Sequence, residues 1–415
     1  MSKEKVIGID LASSQSVVAV IENGEPKVIV NSEGSRTTPS VIMIKDGERK
    51  IGGAAKRQVV MNPKNTITYI KRYMGGKYDD PDIQKMIKMS TYKVDNDGGL
   101  PRINIDGKKY SPEEISSYII SYLKKAAEDY YGWEVKKAVI TCPAYYNDSQ
   151  RQAVKLAGEL AGLQVLRIIN EPTSAILAAN YKLKDDEEKN IMVVDLGGAT
   201  LDVTIANLSN IDNQLMVEVL ASNGNVFLGG QNYDNAIVNW AAEEFAKEHG
   251  GFDLRKDPMA YSRLIEASEK AKCELSSSAQ SEINLPYITV IDNVPQMLVL
   301  TLTRAKFEQL TDNLTQQVID TARKCIEKSG KSLSDINSIL LVGGSTRMLS
   351  VQNSLTKEFN IKLEKLSLLL SLSMWWLTVY QPISTAIPSK GHWANCLGCW
   401  AFCWSFLLPS TAAAI

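Results

Sequence analysis

The chain has 415 residues, room for one oversized domain or two to three ordinary ones, with 46 basic against 47 acidic side chains and a formal net charge of −1. That balance excludes the strongly basic footprint of a polyanion binder, and two histidines, His249 and His392, leave little for histidine-based nucleophiles or a His-rich metal site. The opening MSKEKVIGID has no apolar signal region, and Cys142, Cys273 and Cys325 are widely spaced single thiols of the kind found in a reducing compartment.

In chain order, the first strong signal is VIGIDLASSQSVVAVI from Val6. An apolar run ends at Asp10-Leu11, small and hydroxyl residues follow, and a second run begins at Val17, which predicts strand, tight corner and strand. Ser111-Pro112-Glu113-Glu114 then supplies an N-cap, a proline at the first helical position and a capping-box glutamate. Ile115, Ile119, Leu123 and Ala126 recur at helical spacing, and Gly132 ends that helix. A strand over Ala138 to Thr141 leads through Cys142-Pro143 to a helix opened by Asn147 or Asp148. Further on, Leu314, Val318, Ala322 and Ile326 mark a helix stopped by Gly330, and the strand Ile339 to Val342 delivers Gly343-Gly344-Ser345-Thr346. Strands alternating with periodic helices place the body in the α/β class.

IMVVDLGGATLDVTIA from Ile191 repeats the opening device: apolar strand, Asp-Leu, small and hydroxyl residues, strand. Two copies imply a duplicated, two-lobed fold whose corners face each other across a cleft. Gly197-Gly198 let backbone N–H groups approach an anion, while Ser13, Ser14 and Thr200 add hydroxyl donors. An aspartate beside a phosphate cradle repels it unless a divalent cation lies between, so Asp10 and Asp195 point to Mg²⁺ held through its waters. Together the corners predict a nucleotide phosphate chain clamped from both sides. Rival phosphate motifs fail: Gly330-Lys331-Ser332 follows a helix and lacks the first P-loop glycine, and no G-x-G-x-x-G follows a strand.

The body also resembles the ATPase domain of the seventy-kilodalton heat-shock chaperones, within the actin and sugar-kinase superfamily. Matching blocks run in order from about residue 4 to 365: EGSRTTPSVI from Glu33, IKRYMGG from Ile70, VITCPAYYNDSQRQA from Val139, RIINEPTSA from Arg167, DLGGATLDV, LGGQNYD from Leu228, EKAKCELSS from Glu269 and ILLVGGSTRM from Ile339. The resemblance implies a duplicated two-lobe actin-like ATPase fold with ribonuclease-H-like halves, lobe I over 1–184 and lobe II over 185–365, binding ATP or ADP with Mg²⁺. It implies that Lys71 orients the attacking water and meets charge on the γ-phosphate, that Glu171 holds a magnesium-bound water, and that Thr200 binds the γ-phosphate or the water, with Asp10 and Asp195 completing the catalytic set. Ala12, Ser13, Ser14, Gln15, Gly197, Gly198 and Ala199 would line the phosphates. Glu269, Lys272 and Ser276, at helical i, i+3, i+7 spacing, would meet the adenosine from one side, with Gly343, Gly344, Ser345 and Arg347 opposite and Gly229 and Gly230 nearby. Pro143 with Arg151 would couple nucleotide state to a peptide-binding domain.

The resemblance also implies partners: a J-domain co-chaperone, a nucleotide-exchange factor and, through a peptide-binding domain, unfolded clients. Neither nucleic acid nor membrane is expected. A cytoplasmic location is expected, with a mitochondrial or related organelle as the alternative, because GGFDLRKDPMA and INLPYIT look closer to the bacterial and mitochondrial branch than to the cytosolic eukaryotic one. Two departures stand out. Ala12-Ser13-Ser14 replaces Gly-Thr-Thr at the first corner, and Ala199 and Leu201 replace Gly and Phe at the second. If either glycine position needs positive φ or phosphate contact, the added methyl costs about 1 kcal/mol and slows hydrolysis. A nucleotide-binding module with little turnover is therefore the second reading; a small-molecule kinase and a product without a stable fold complete the alternatives.

Past residue 365 the character changes. All 47 acidic residues precede Leu366, after which Lys390 is the sole formal charge, while five of seven tryptophans and Cys396, Cys399 and Cys403 lie in this stretch. The family pattern Pro-Asp-Glu-x-Val-Ala-x-Gly-Ala-Ala is expected there and SLSMWWLTVY stands instead. Met374, Trp375 and Trp376 have single codons, and read one base back these permit Asp-Val-Val, close to the missing segment. A one-base frameshift near residues 361 to 370, leaving the closing helix altered and the peptide-binding domain missing, is the expectation for 366–415. Membrane anchoring is disfavoured by runs shorter than about 20 residues, and a zinc site by the lack of a second Cys pair.

Overall fold

The computed structural model describes residues 5–22, 25–185, 187–211 and 214–365, which fall within one compact unit, Met1–Thr378. A second unit, Val379–Ile415, and with it the expected reading-frame change in 366–415, lies outside the described residues.

Two mixed sheets organise the described chain. In the first, the order is Gln164–Asn170, Lys137–Cys142, Val6–Asp10, Gln15–Glu22, Glu25–Val28, with Thr38–Pro39 also paired to Gln15–Glu22. In the second, the order is Gln214–Asn225, Leu201–Ile211, Glu188–Leu196, Ile336–Val342, Leu363–Lys365. Counted outward from Val6–Asp10 and from Glu188–Leu196, the two run alike. Each of these strands pairs antiparallel with its successor, which pairs antiparallel with the next; on its other side lie two parallel strands. Parallel neighbours are buried on both faces, which is why VIGI, AVIT, IMVV and ILLV are continuous apolar runs rather than alternating ones.

Helices cover the sheets and give each its own core. Pro112–Tyr131 and Asp148–Leu160 pack over the first, burying Ile115, Ile119, Leu123 and Val154 with Ile7, Ile9 and Ile140. Gly230–Glu248, Pro258–Glu274 and Arg304–Ser329 cover the second, where Tyr233, Phe245, Val318 and Ala322 meet Val194, Val203 and Ile339. The helix starts follow the sequence with one difference. Ser111 accepts from the Glu114 N–H at 3.0 Å, but the Glu114 carboxylate takes the Tyr118 hydroxyl instead of closing the capping box. Asn147 and Gln150 do form a reciprocal box at the next helix, and Gly132 and Gly330 end their helices at φ 78° and 69°, a conformation that costs glycine no Cβ clash.

Each central strand runs parallel to a neighbour in its own sheet, and the C-terminal corners of both sheets meet at one cavity. Asp10 closes the first strand, Asp195-Leu196 closes its counterpart opposite Asp202 and Leu201, and Val342 ends in register with Asp195. Ile339, fully buried three residues before Val342 in the same strand, sits between two parallel neighbours. Ile339→Ala should therefore lower stability by about 2–5 kcal/mol, read as a fall in the urea unfolding midpoint.

Candidate functional site

A cavity of about 1110 Å³ opens between the two sheets, and it takes its walls from the corners just described. The first corner contributes Asp10, Ala12, Ser13, Ser14 and Gln15; the second contributes Asp195, Gly197, Gly198 and Thr200. Lys71 comes from the single-turn helix Ile70–Tyr73, Glu171 begins the helix Glu171–Ala178, and Pro143 lies in the loop after Lys137–Cys142. Glu269, Lys272 and Ser276 face Gly343, Gly344, Ser345 and Arg347. The helix Pro258–Glu274 carries only Glu269 and Lys272, so Ser276 reaches the cavity from the turn beyond it, its N–H on the Cys273 carbonyl at 3.2 Å.

Four of the residues expected at the site stand behind its walls. Ala199 and Gly229 lie backbone to backbone, too close for a side chain on the glycine, and the Gly230 N–H donates to the Gly197 carbonyl at 3.0 Å. Arg151 donates to the Tyr146 and Ala144 carbonyls, the Cys142 sulfur and Asn170 Oδ1, bracing the Pro143 loop against the residue before Glu171. Neither Ala12 nor Ala199 is among the described residues with positive φ, so their methyl groups carry no backbone strain. Gly343, by contrast, has φ 83° and abuts the Leu196 carbonyl and Asp195, leaving no room for a Cβ. The two corners nearly touch: a Cβ on Gly198 would stand 2.5 Å from Ser14 Oγ.

Charge is concentrated at the floor. Lys71 Nζ lies 2.5 Å from Glu171 Oε1, and Asp10 Oδ1 accepts from Thr141 Oγ1 at 2.8 Å. Burial pushes Asp10 and Glu171 up and Lys71 pulls both down, with the net direction upward. Burial drives Asp195 well above the carboxylate range, and the neighbouring Glu171, Asp202 and Asp10 add to it. Burial and Glu171 push Asp202 up to about 7. Burial works against charge on Lys71, but Glu171, Tyr146 and Asp10 outweigh it and hold the ammonium above its ordinary value. Four carboxyl groups thus share the stabilising field of one ammonium.

That imbalance is the test for a metal. One Asp202 carboxylate oxygen and Gln15 Oε1 are buried without hydrogen-bond partners, and both residues line the cavity. Hard oxygen donors in excess of the available positive charge fit Mg²⁺. Among the described residues no three His, Cys, Asp or Glu side chains converge into a candidate ligand set.

Two residues outside the expected set belong here. Asp202 follows Thr200 by two in a block read from the sequence, and it is the antiparallel register against Asp195 that turns it inward. Arg72 is half-buried, donates to the Ala199 carbonyl at 2.6 Å and lies over the Tyr69 and Phe227 rings, tying the two halves of the cleft together. At the rim Lys56 Nζ reaches Glu269 Oε2 at 2.6 Å, while Lys272 is held by Asp234 at 2.8 Å and by the Gly230 carbonyl.

A family model described as Hsp70 protein matches residues 6–367. The chaperone protein DnaK of Stenotrophomonas maltophilia (strain R551-3) is 48% identical over 358 residues, covering 86% of this chain and 56% of that protein. The chain therefore spans little more than half the length of this relative.

The Asp202 shift has a measurable consequence. Between its ordinary value of 3.8 and about 7, the folded protein holds a proton that the unfolded chain has released, so stability falls as pH rises through that window. Urea midpoints of the nucleotide-free protein should decline from about pH 4 to pH 7, and Asp202→Asn should flatten the decline. An unchanged slope in that variant would contradict the assignment.

Proposed function

The chain belongs to the Hsp70 family, and on that premise we propose that the cleft binds Mg·ATP and hydrolyses it on behalf of a heat-shock chaperone. The observation that carries the proposal is the buried Lys71–Glu171 pair, 2.5 Å apart, set among Asp10, Asp195 and Asp202 beneath two donor-rich corners. The matching strand orders of the two sheets support taking them as copies of one unit. On that view the fold is two-lobed and actin-like with ribonuclease-H-like halves, lobe I over 1–184 and lobe II over 185–365.

The Gly197 and Gly198 backbone and the Ser13, Ser14 and Thr200 hydroxyls would take the phosphate oxygens, with Ala12 and Gln15 shaping the channel and Ala199 backing its wall. Magnesium, held mainly through water by Asp10, Glu171 and Asp195, would offset phosphate charge. Lys71 would orient the attacking water and meet charge building on the γ-phosphate, with Thr200 on the same oxygens or water. The adenosine would lie between Glu269, Lys272 and Ser276 on one side and Gly343, Gly344, Ser345 and Arg347 on the other, over the Gly229-Gly230 turn. For this, Lys56 must release Glu269, and Lys272 must turn from Asp234 toward the ligand.

Pro143 and Arg151 would transmit nucleotide state outward, since Arg151 binds the Pro143 loop and Asn170 at once. A J-domain co-chaperone and a nucleotide-exchange factor are the proposed partners, and unfolded clients would engage through a peptide-binding domain. The cytoplasm is the proposed location, a mitochondrion or related organelle the alternative. Among the described residues no helix is long and apolar enough to cross a membrane.

Lys71→Ala should reduce ATP turnover by about 10²–10³-fold while nucleotide still binds; near-normal turnover in that variant would remove the basis of the proposal. A second reading, binding with weak turnover, rests on Ala12, whose position on the cavity wall puts its methyl where phosphate would pass. Ala12→Gly should then raise single-turnover hydrolysis several-fold, whereas Ala199→Gly, behind the wall, should change it little.

A further inference from the structure

The hydroxyl of Tyr146 has no part in the roles assigned so far, yet it ends on the backbone of Lys71. Tyr146 lies between the strand Lys137–Cys142 and the helix Asp148–Leu160, and its own backbone is fixed at both ends. Its N–H donates to the Pro143 carbonyl at 3.2 Å, and its carbonyl accepts from Arg151 Nε at 3.0 Å. From that anchored position the buried phenol donates to the Lys71 carbonyl at 3.1 Å, and the ring centroid stands 6.0 Å from Lys71 Nζ. Burial pushes the phenol above its ordinary value, so it remains a donor across the working pH range.

Lys71 needs such a hold. It sits in a single 3₁₀ turn, Ile70–Tyr73, entered through Tyr69 at φ 57°, a conformation that costs a side-chain-bearing residue energy. Within the turn the Lys71 carbonyl receives only the Met74 N–H, at 3.3 Å. Arg151 also grips Asn170 Oδ1 at 2.7 Å, and Asn170 precedes Glu171, the partner of Lys71 Nζ. Arg151, Tyr146, Lys71, Glu171 and Asn170 therefore form a closed circuit in which the tyrosine hydroxyl is the link to the lysine backbone.

We propose that Tyr146 is a positioning residue for Lys71, setting the lysine backbone through its hydroxyl so that the ammonium is held on the Glu171 side of the cleft. The role in turnover rests on the ATPase reading above; the role in holding the 70–74 turn does not. A tyrosine that merely fills space would be replaced by phenylalanine without consequence for that turn, because the ring is kept.

The test compares Tyr146→Phe with Tyr233→Phe, which removes a buried hydroxyl facing Thr315 in the other core. In nucleotide-free protein, deuterium exchange at amides 70–74 should accelerate roughly 3- to 10-fold in Tyr146→Phe, the scale of one buried hydrogen bond, and stay unchanged in Tyr233→Phe. With Mg·ATP, kcat should fall by a similar factor in Tyr146→Phe with KM within about twofold of the parent, and Tyr233→Phe should match the parent. Unchanged exchange at 70–74 overturns the proposal whatever the turnover. Faster exchange with parental kcat, in a parent that hydrolyses ATP, overturns it as well. A parent without turnover refutes the ATPase reading instead, and the exchange comparison then decides on Tyr146 alone.

Discussion

One ion pair organises this molecule. Lys71 and Glu171 meet in a buried space that also contains Asp10, Asp195 and Asp202, so a single ammonium steadies four acids. Burying charge without full compensation is costly, and the fold tolerates it only where the deficit is used. Here the deficit faces a cavity lined by backbone amides and hydroxyls. That combination favours a ligand bringing both a cation and an anion, since either alone would meet repulsion from part of the wall.

The sheets explain why these groups coincide. In each, one strand runs antiparallel to its hairpin partner and parallel to its other neighbour, so Asp10, Asp195 and Val342 all terminate at the cavity. The glycines of Gly343-Gly344 and Gly197-Gly198 allow the turns to fold back within contact of one another. The packed helices back the strands, while the connecting segments carrying Ser14, Lys71 and Pro143 reach the cavity wall.

Much of this arrangement was legible in the chain itself. The repeated Asp-Leu corner marked the two strand–turn–strand devices, and the helix caps at Ser111, Asn147, Gly132 and Gly330 are where their residue types place them. Local pattern was weaker wherever a role depends on pairing. Asp202 turns inward because of its register against Asp195, which no spacing reveals. Arg72 carries no signal of its own in the sequence, but a turn entered at positive φ sends it across the cleft to the Ala199 carbonyl. Ser276 continued a helical stripe on paper, whereas the helix stops at Glu274. The doubt attached to Ala12 and Ala199 also narrows, because strain depended on backbone angles that composition could not supply.

The near contact of Ser14 with Gly198 has a kinetic meaning. A ligand passing between Ser14 and Gly198 would need this point of the wall to part. Arg72 on the Ala199 carbonyl, Tyr69 on Gln231 and Lys56 on Glu269 are among the bonds such a parting would break. A ligand seated beneath that seam would then be retained by these bonds as well as by its own contacts.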